Sequence, residues 1–592
     1  MPSVTYDGRS FMLDGRRLWL VGGTVSYAHC CRAQWADRIH AAKLAGINTI
    51  EVPVFWNRHE PRAGRFDFAG DNDVRHFVEL IRDAGLHCIL RIGPYTGNGW
   101  DNGGIPPWLA ESATLKLRTT NSAFLEACSR FYSALAERVR DLQVTATGRG
   151  GPILLAQIEA NWTCGDDDLA ASYLGELNRY LRESGITVPV INSNNLWNSV
   201  EGSIDCWTGS RGLLGVMRQM AGVRADQPRL VIDFEAGRPT NFGEEPPAAA
   251  EPVELQRRIA EVLAAGGQFN LRPFHGGTNF GFWSGRSDAS AEAFPTASND
   301  QGAPLTEVGS PGATYAMVRR ITTFASRFAR VFSTLDPSYQ PIALDPSTPV
   351  PGVRAGGGRV SSKPASTVSV VHVSGQQGGA VFVFAPTHRE GDDAVSLLLP
   401  DGVSIPVRLG TQAVAWCLFD VNLNGRSRLD YCNLNAFAFV GKVLVCYGPA
   451  GSRGVLSVNG SSIEIAVPTG KTPLLLDHEG LFVLVVNEET IDTTFVTEDT
   501  IYVGVAGLTA AGAPIAHPAS RQFSIVNSEG VMSTKQADSP KSGAVPLAPN
   551  ATAERFTLGA WQASTMDDYV AGESARFASV TGPGDLASLG SP

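Results

Sequence analysis

Long apolar runs are missing from this chain. No stretch of its 592 residues approaches the roughly 18 consecutive apolar positions of a membrane span, so no membrane partner is expected. Basic stripes are missing too. The 48 lysines and arginines face 58 acidic residues, and the net charge of −10 is spread out, which speaks against nucleic acid. Nine cysteines are scattered, and none forms a Cys-x-x-Cys pair or a Cys/His zinc pattern. They read as reduced core thiols in a reducing compartment. No metal, nucleotide or flavin motif is visible, so neither metal nor cofactor is expected. Met1-Pro2-Ser3-Val4-Thr5-Tyr6-Asp7-Gly8 lacks the basic and apolar regions of an export signal, and a cytoplasmic location is the resulting expectation.

What the chain does contain is an ordinary globular share of hydrophobic residues, 43%, over a length too great for one ordinary domain. Two Asp-Gly turns near the start predict a small hairpin leading into a strand near Leu18–Val21. Helical and strand-like patterns then alternate. Strands are predicted at 48–55, 88–93, 153–159, 188–193, 204–208, 229–235 and 268–275, and helices at 34–45, 74–84, 122–139, 169–184 and 253–265. Eight strands alternating with helices imply a parallel (β/α)8 TIM barrel, closed by a final helix from Tyr315 to Leu335. Beyond Pro337 helices largely vanish. Short strands at 368–373, 379–384, 413–419, 437–445, 454–458 and 482–486 read as all-β, sandwich-like units. The expected division is a barrel at 1–336, a β-sandwich at 337–450, a small β domain at 451–527, and a linker with a C-terminal tail at 528–592.

The stretch that organises the chain is Phe274-His275-Gly276-Gly277-Thr278-Asn279-Phe280-Gly281-Phe282-Trp283. A buried strand opens there into a glycine and aromatic loop, at the end of a barrel where active sites sit. This wording resembles the eighth-strand signature of glycoside hydrolase family 35, the β-galactosidase family. Val54-Phe55-Trp56-Asn57-Arg58-His59-Glu60-Pro61 resembles its V-F-W-N-x-H-E-P stretch. Leu90-Arg91-Ile92-Gly93-Pro94-Tyr95 resembles L-R-P-G-P-Y, and Trp100-Asp101-Asn102-Gly103-Gly104-Ile105-Pro106 resembles W-D-x-G-G-L-P. Gly151 to Glu159 resembles G-P-I-I-x-x-Q-I-E. The resemblance covers the first 310 residues. Pro583 to Gly590 looks like the stretch before the family's final jelly roll, which this chain then lacks. A homo-oligomer, or a second chain supplying that jelly roll, stays open.

The resemblance implies a retaining glycosidase with two glutamates about 5–5.5 Å apart. Here the family's acid/base falls on Asn161, and an amide cannot deliver that proton. The family's nucleophile falls on Asp233. Sugar-holding positions differ as well: Pro53, Gly99, Arg272 and Asn299 stand where the family has tyrosine or glutamate, and Ser26 where it has histidine. Ordinary β-galactosidase activity is therefore not expected.

Residues two apart on a strand face the same way. Glu159, Asp233 and Glu235 could thus converge at the barrel mouth as a re-sited pair, or Glu159 could be a buried structural carboxylate paired to a base. Arg238 and Arg272 replace aromatics and fit an anionic ligand, or internal salt bridges. Tyr95, Asn98, Trp100, Asn299, His29 and Trp162 complete the candidate substrate-binding set, and Trp197 and Trp283 could join a sugar platform. The expected function is a divergent family barrel acting on a glycoside or a sugar-bearing, anionic substrate through Asp233 and a relocated carboxylate. An inactive carbohydrate-binding or assembly protein is one alternative. An enzyme recruited to a biosynthetic step on a glycosylated or acidic metabolite is the other.

Overall fold

A computed structural model describes residues 2–536, apart from 98, 111–113, 149, 165, 197–198, 238–239, 246–250, 286–293, 340–342, 345–367, 386–393, 400–401 and 411. The barrel strands are β1 (Val21–Val25), β2 (Thr49–Pro53), β3 (His87–Gly93), β4 (Ile153–Ile158) and β5 (Val190–Asn192). They continue with β6 (Ser203–Asp205, resumed at Trp207–Thr208), β7 (Leu230–Glu235) and β8 (Gln268–His275). Neighbouring strands pair in parallel. The hydrogen-bonded ribbon begins with one half of β6 and ends with the other, and only Cys206 separates them. The sheet therefore closes on itself through one interrupted strand.

The first barrel strand is not at Leu18. Arg16–Leu18 completes a three-stranded N-terminal sheet, and β1 starts at Val21. Its Gly22-Gly23 pair hid it from an apolar pattern. Those glycines are required by packing: a Cβ on Gly22 would lie 2.8 Å from Asn270 Oδ1, and one on Gly23 would lie 2.9 Å from Phe274 Cβ.

The outer helices are α1 (Trp35–Leu44), α2 (Val74–Asp83), α3 (Ser122–Val139), α4 (Asp167–Glu183), α5 (Leu213–Val223), α6 (Pro252–Ala264) and α7 (Tyr315–Arg327). Asp73, Asn121 and Asp166 cap α2, α3 and α4, each accepting a backbone N–H from the first turn. Helix α5 was not expected. Gly215 and Gly222 weaken its propensity, and its apolar contribution to the core rests on Leu213, Met217 and Met220. The final helix stops at Arg327 instead of running to Leu335; a short turn, Ala329–Phe332, follows, and Leu335–Tyr339 is already a strand.

That strand opens a seven-stranded antiparallel sheet that continues through Arg453–Val458 and Ser461–Ala466, so the expected boundary at 450 falls inside one sheet. The single strand expected at 437–445 is a hairpin, Asn435–Val440 and Val443–Gly448. Within the expected linker, Met532–Gln536 pairs with Gln522–Asn527; residues 537–592 lie outside the described residues. Barrel and β region share one apolar core, in which Phe324 of α7 stacks on Trp416 at 5.5 Å. Buried Arg319 donates to the carbonyls of Ile491 (2.9 Å), Asp492 (2.7 Å) and Thr494, and Arg320 forks onto the Asp492 carboxylate at 2.7 Å. Among the described residues no helix is long and apolar enough to cross a membrane.

Candidate active site

Four charges alternate at the C-terminal ends of β2, β3, β7 and β8. Glu51 of β2 pairs its charge with Arg91 of β3, Oε1 lying 2.6 Å from Nε, and its other oxygen accepts from the Thr24 hydroxyl at 2.5 Å. Arg91 is fully buried and reaches across to Asp233 of β7 with Nη2, and to the Thr96 carbonyl with Nη1 at 3.0 Å. Arg272 of β8 donates to the same Asp233 oxygen at 2.6 Å and to the same Thr96 carbonyl at 3.1 Å. The other Asp233 oxygen lies 3.4 Å from the Thr208 hydroxyl, which is equally placed to donate to the Ser193 carbonyl at 3.4 Å. Two carboxylates and two guanidiniums thus form one neutral chain. Burial pulls the Asp233 pKa up, but the Arg272 and Arg91 charges outweigh it and hold the carboxyl below its usual range. Two guanidiniums share one Asp233 oxygen, while the other faces the Thr208 hydroxyl.

The three carboxylates have separate neighbourhoods. Glu159 is fully buried, and Arg118 grips it at 2.8 Å while the Tyr173 hydroxyl donates to it at 2.5 Å. The Ala160 amide adds a 3.2 Å bond. Glu235 ends β7 and is exposed. Its charge acts on Arg258 of α6. Glu159 thus belongs to a clasp tying β4 to α4 and to the loop before α3, away from any pairing with Asp233. Asn161 is exposed, and its backbone N–H donates to Ser193 Oγ at 3.3 Å.

The candidate binding residues are mostly sealed against one another. Trp100 is 2% exposed, stacked on Phe55 at 4.1 Å on one side and Trp283 at 5.2 Å on the other, with Nε1 donating to Asn57. Both faces being covered, Trp100 cannot serve as a sugar platform. Trp283 is half-buried at the outer end of that stack. Arg118 lies 4.0 Å over the Tyr95 ring, and Trp162 packs on Tyr173 while donating to the Arg118 carbonyl. His29 is buried beside Asn299, whose amide also donates to the Gly276 carbonyl. Burial pushes the His29 pKa down to about 3, with His275 and Arg58 adding to the effect, so it is neutral and no general acid near pH 7. Asn98, Trp197 and Arg238 lie outside the described residues. Among the described residues no cluster of His, Cys, Asp and Glu could hold a metal ion.

The sequence model of the glycosyl hydrolases family 35 matches residues 10–325, more than half of the chain. The chain belongs to this family. It is 33% identical over 324 residues to beta-galactosidase-1-like protein 2 of Homo sapiens, covering 53% of this chain and 49% of that protein. It is also 33% identical over 328 residues to a beta-galactosidase of Xanthomonas manihotis, covering 54% of each. The chain spans about half the length of the curated relatives it matches. Among solved structures, a beta-galactosidase from Marinomonas ef1 superimposes with a TM-score of 0.40 at 10% identity, covering 54% of this chain and 62% of that one.

Family 35 membership fixes which strand ends to inspect, yet motif comparison passed over Glu51, Arg118 and Thr208. A signal for Glu51 and Arg91 was present. Each is a lone charge inside a short apolar strand, Thr49–Pro53 and His87–Gly93, and a lone buried charge on adjacent parallel strands demands a partner. Arg118 and Thr208 carry no such signal, because both act from irregular or very short segments.

Proposed function

We propose that this chain is a non-hydrolytic member of family 35, a barrel that recognises carbohydrate without cleaving a glycosidic bond. One observation carries this: the carboxylate at the nucleophile position is clamped on one oxygen by two buried guanidiniums, Arg272 and Arg91. Nucleophilic attack needs a basic carboxylate able to turn toward the anomeric carbon, and the two guanidiniums fix its orientation and lower its basicity. The amide of Asn161 leaves the other half of a double displacement without an acid. Arg272 is engaged with Asp233 and Thr96, which weakens the reading of an anionic substrate.

The test is a thermal-shift screen run beside a turnover assay on the same sample. A bound sugar raises the apparent melting temperature by mass action, whatever its chemistry. At least one neutral sugar is expected to raise it, with no release from aryl glycosides above the buffer rate. Acidic sugars are expected to show no advantage. Turnover that is abolished in Asp233→Asn would overturn the proposal.

One observation favours a second reading, in which Glu235 serves as a relocated catalytic carboxylate: among the three candidates it alone is exposed. In that case Glu235→Gln should abolish turnover of some glycoside at unchanged melting temperature. On the non-hydrolytic reading the substitution is silent in every assay.

A further inference from the structure

Two cysteines that play no part in the barrel meet in the β region. Cys432 ends the strand Arg428–Cys432, with Leu418 and Leu456 as its register partners in the seven-stranded sheet. Cys446 lies in Val443–Gly448, flanked by Ala436 and Val485 in the four-stranded sheet. Each sits in the interior of its own sheet, and the sulfurs touch across the gap between the sheets. Their Sγ atoms are 3.8 Å apart, both side chains are fully buried, and both thiols are free. No other sulfur–sulfur contact occurs among the described residues.

We propose that Cys432 and Cys446 are a disulfide site that clamps the two sheets together when the chain meets a small disulfide oxidant such as glutathione disulfide. A disulfide needs its sulfurs about 2.05 Å apart, so the pair must close by about 1.8 Å, within reach of side-chain rotation and a small sheet adjustment. One protein thiolate attacks a sulfur of the oxidant, breaks its S–S bond and expels a glutathione thiolate. The second protein thiolate then attacks the mixed disulfide at the protein sulfur and expels the second glutathione. Two electrons and two protons pass to the oxidant, and one S–S bond replaces another.

Burial sets the timing. Both sulfurs are fully buried between the sheets, so a soluble disulfide cannot reach them in the folded chain. Exchange therefore occurs when the sheets part, during folding or in partial denaturant. The two positions are 14 apart in sequence, so the link closes a short loop and restrains the unfolded chain.

The test uses the full chain exposed to excess glutathione disulfide in two arms: directly in sub-denaturing urea, and through a complete urea unfolding and refolding cycle. Iodoacetamide then caps the remaining thiols under denaturing conditions, and trypsin cuts at Arg428, Lys442 and Arg453. The expected result is a linked pair, Leu429–Lys442 with Val443–Arg453, that separates on reduction, and seven capped cysteines in place of nine. The oxidised protein should melt at a higher temperature than the reduced one, a difference absent in the Cys432→Ser, Cys446→Ser double variant. Recovery of the two peptides separately and capped in both arms, or linked to other cysteines, overturns the proposal.

Discussion

Urea unfolding of this protein at pH 5 is expected to have a midpoint far below that at pH 7, because barrel histidines, above all His29, His59 and His275, are buried without their protons. Burial lowers His59 to about 4; burial, with Arg38 adding to it, lowers His275 to about 4; burial, with His275 and Arg58, lowers His29 to about 3. His59 meets the Tyr27 hydroxyl at 2.5 Å and the Asp67 carbonyl at 2.9 Å, and His275 meets the Glu307 carbonyl at 3.2 Å, so none has a paired carboxylate to welcome a positive charge. In the unfolded chain each takes up a proton near pH 6.5. Below that value the unfolded state binds more protons than the folded one, so stability falls as pH falls. The loss begins near pH 6.5 and stops growing only below about 4 for His59 and His275 and about 3 for His29. By pH 5 each histidine costs roughly 2 kcal/mol, and the three together roughly 6 kcal/mol, a large part of the stability of an ordinary domain. Asp233 adds nothing in this window. Its depressed pKa keeps its contribution intact above the unfolded value near 4, and that contribution is lost only in stronger acid. Equal midpoints at pH 5 and 7 would show that these imidazoles reach solvent. Replacement of His59 or His275 by Gln should flatten the pH slope in part, since burial also lowers His87 and His372.

Arg91→Met should destabilise the barrel by about 3–5 kcal/mol, the cost of removing one partner from a buried ion pair. The upper end applies because Arg91 serves two acids: it is the cation between Glu51 and Asp233, whose side chains are 0% and 3% exposed. Arg272 still neutralises Asp233 in the variant, while Glu51 keeps only the Thr24 hydroxyl. Arg91→Lys should lose most of the same stability, since one ammonium cannot reach Glu51, Asp233, Gln157 and Thr96 as the guanidinium fork does. Glu51→Gln in the Arg91→Met background should recover part of the loss, because the orphaned charge is then gone. The check is the urea midpoint of the four proteins as a double-mutant cycle; independent, additive effects would dissolve the network.

Much of this architecture was legible in the sequence. Alternation of apolar strands with capped helices gave the barrel, and the strand ends that face the site were named within a residue or two. Where reading failed, local signals contradicted tertiary ones. Gly22-Gly23 belongs to β1 because β8 crowds it, a reason lodged almost 250 residues away. Gly215 and Gly222 masked α5. Gly441-Lys442 splits what looked like one strand into a hairpin.

At the site, most of the side-chain partnerships could not be read. An internal salt bridge from Arg272 to Asp233 was one of the open readings, and it forms; the second cation, Arg91 of β3, was not foreseen as an Asp233 partner. Trp100 read as a platform because nothing local reveals that Phe55 and Trp283 cover both faces. Glu159 read as a possible catalytic group until Arg118 and Tyr173 claimed it from two other segments. Partner choice across a barrel is a three-dimensional fact, and strand periodicity carries only the direction of each side chain.

The most direct measurement is a covalent trap. A 2,4-dinitrophenyl 2-deoxy-2-fluoro-β-galactoside has a leaving group that needs no acid, so it asks only whether the carboxylate at position 233 can attack an anomeric carbon. With the carboxylate fixed and its basicity lowered by Arg91 and Arg272, the expected intact mass after prolonged incubation is that of the untreated protein. A mass increase of one fluorogalactosyl group, mapped to Asp233 and absent in Asp233→Asn, would contradict the non-hydrolytic assignment and return this barrel to the retaining glycosidases.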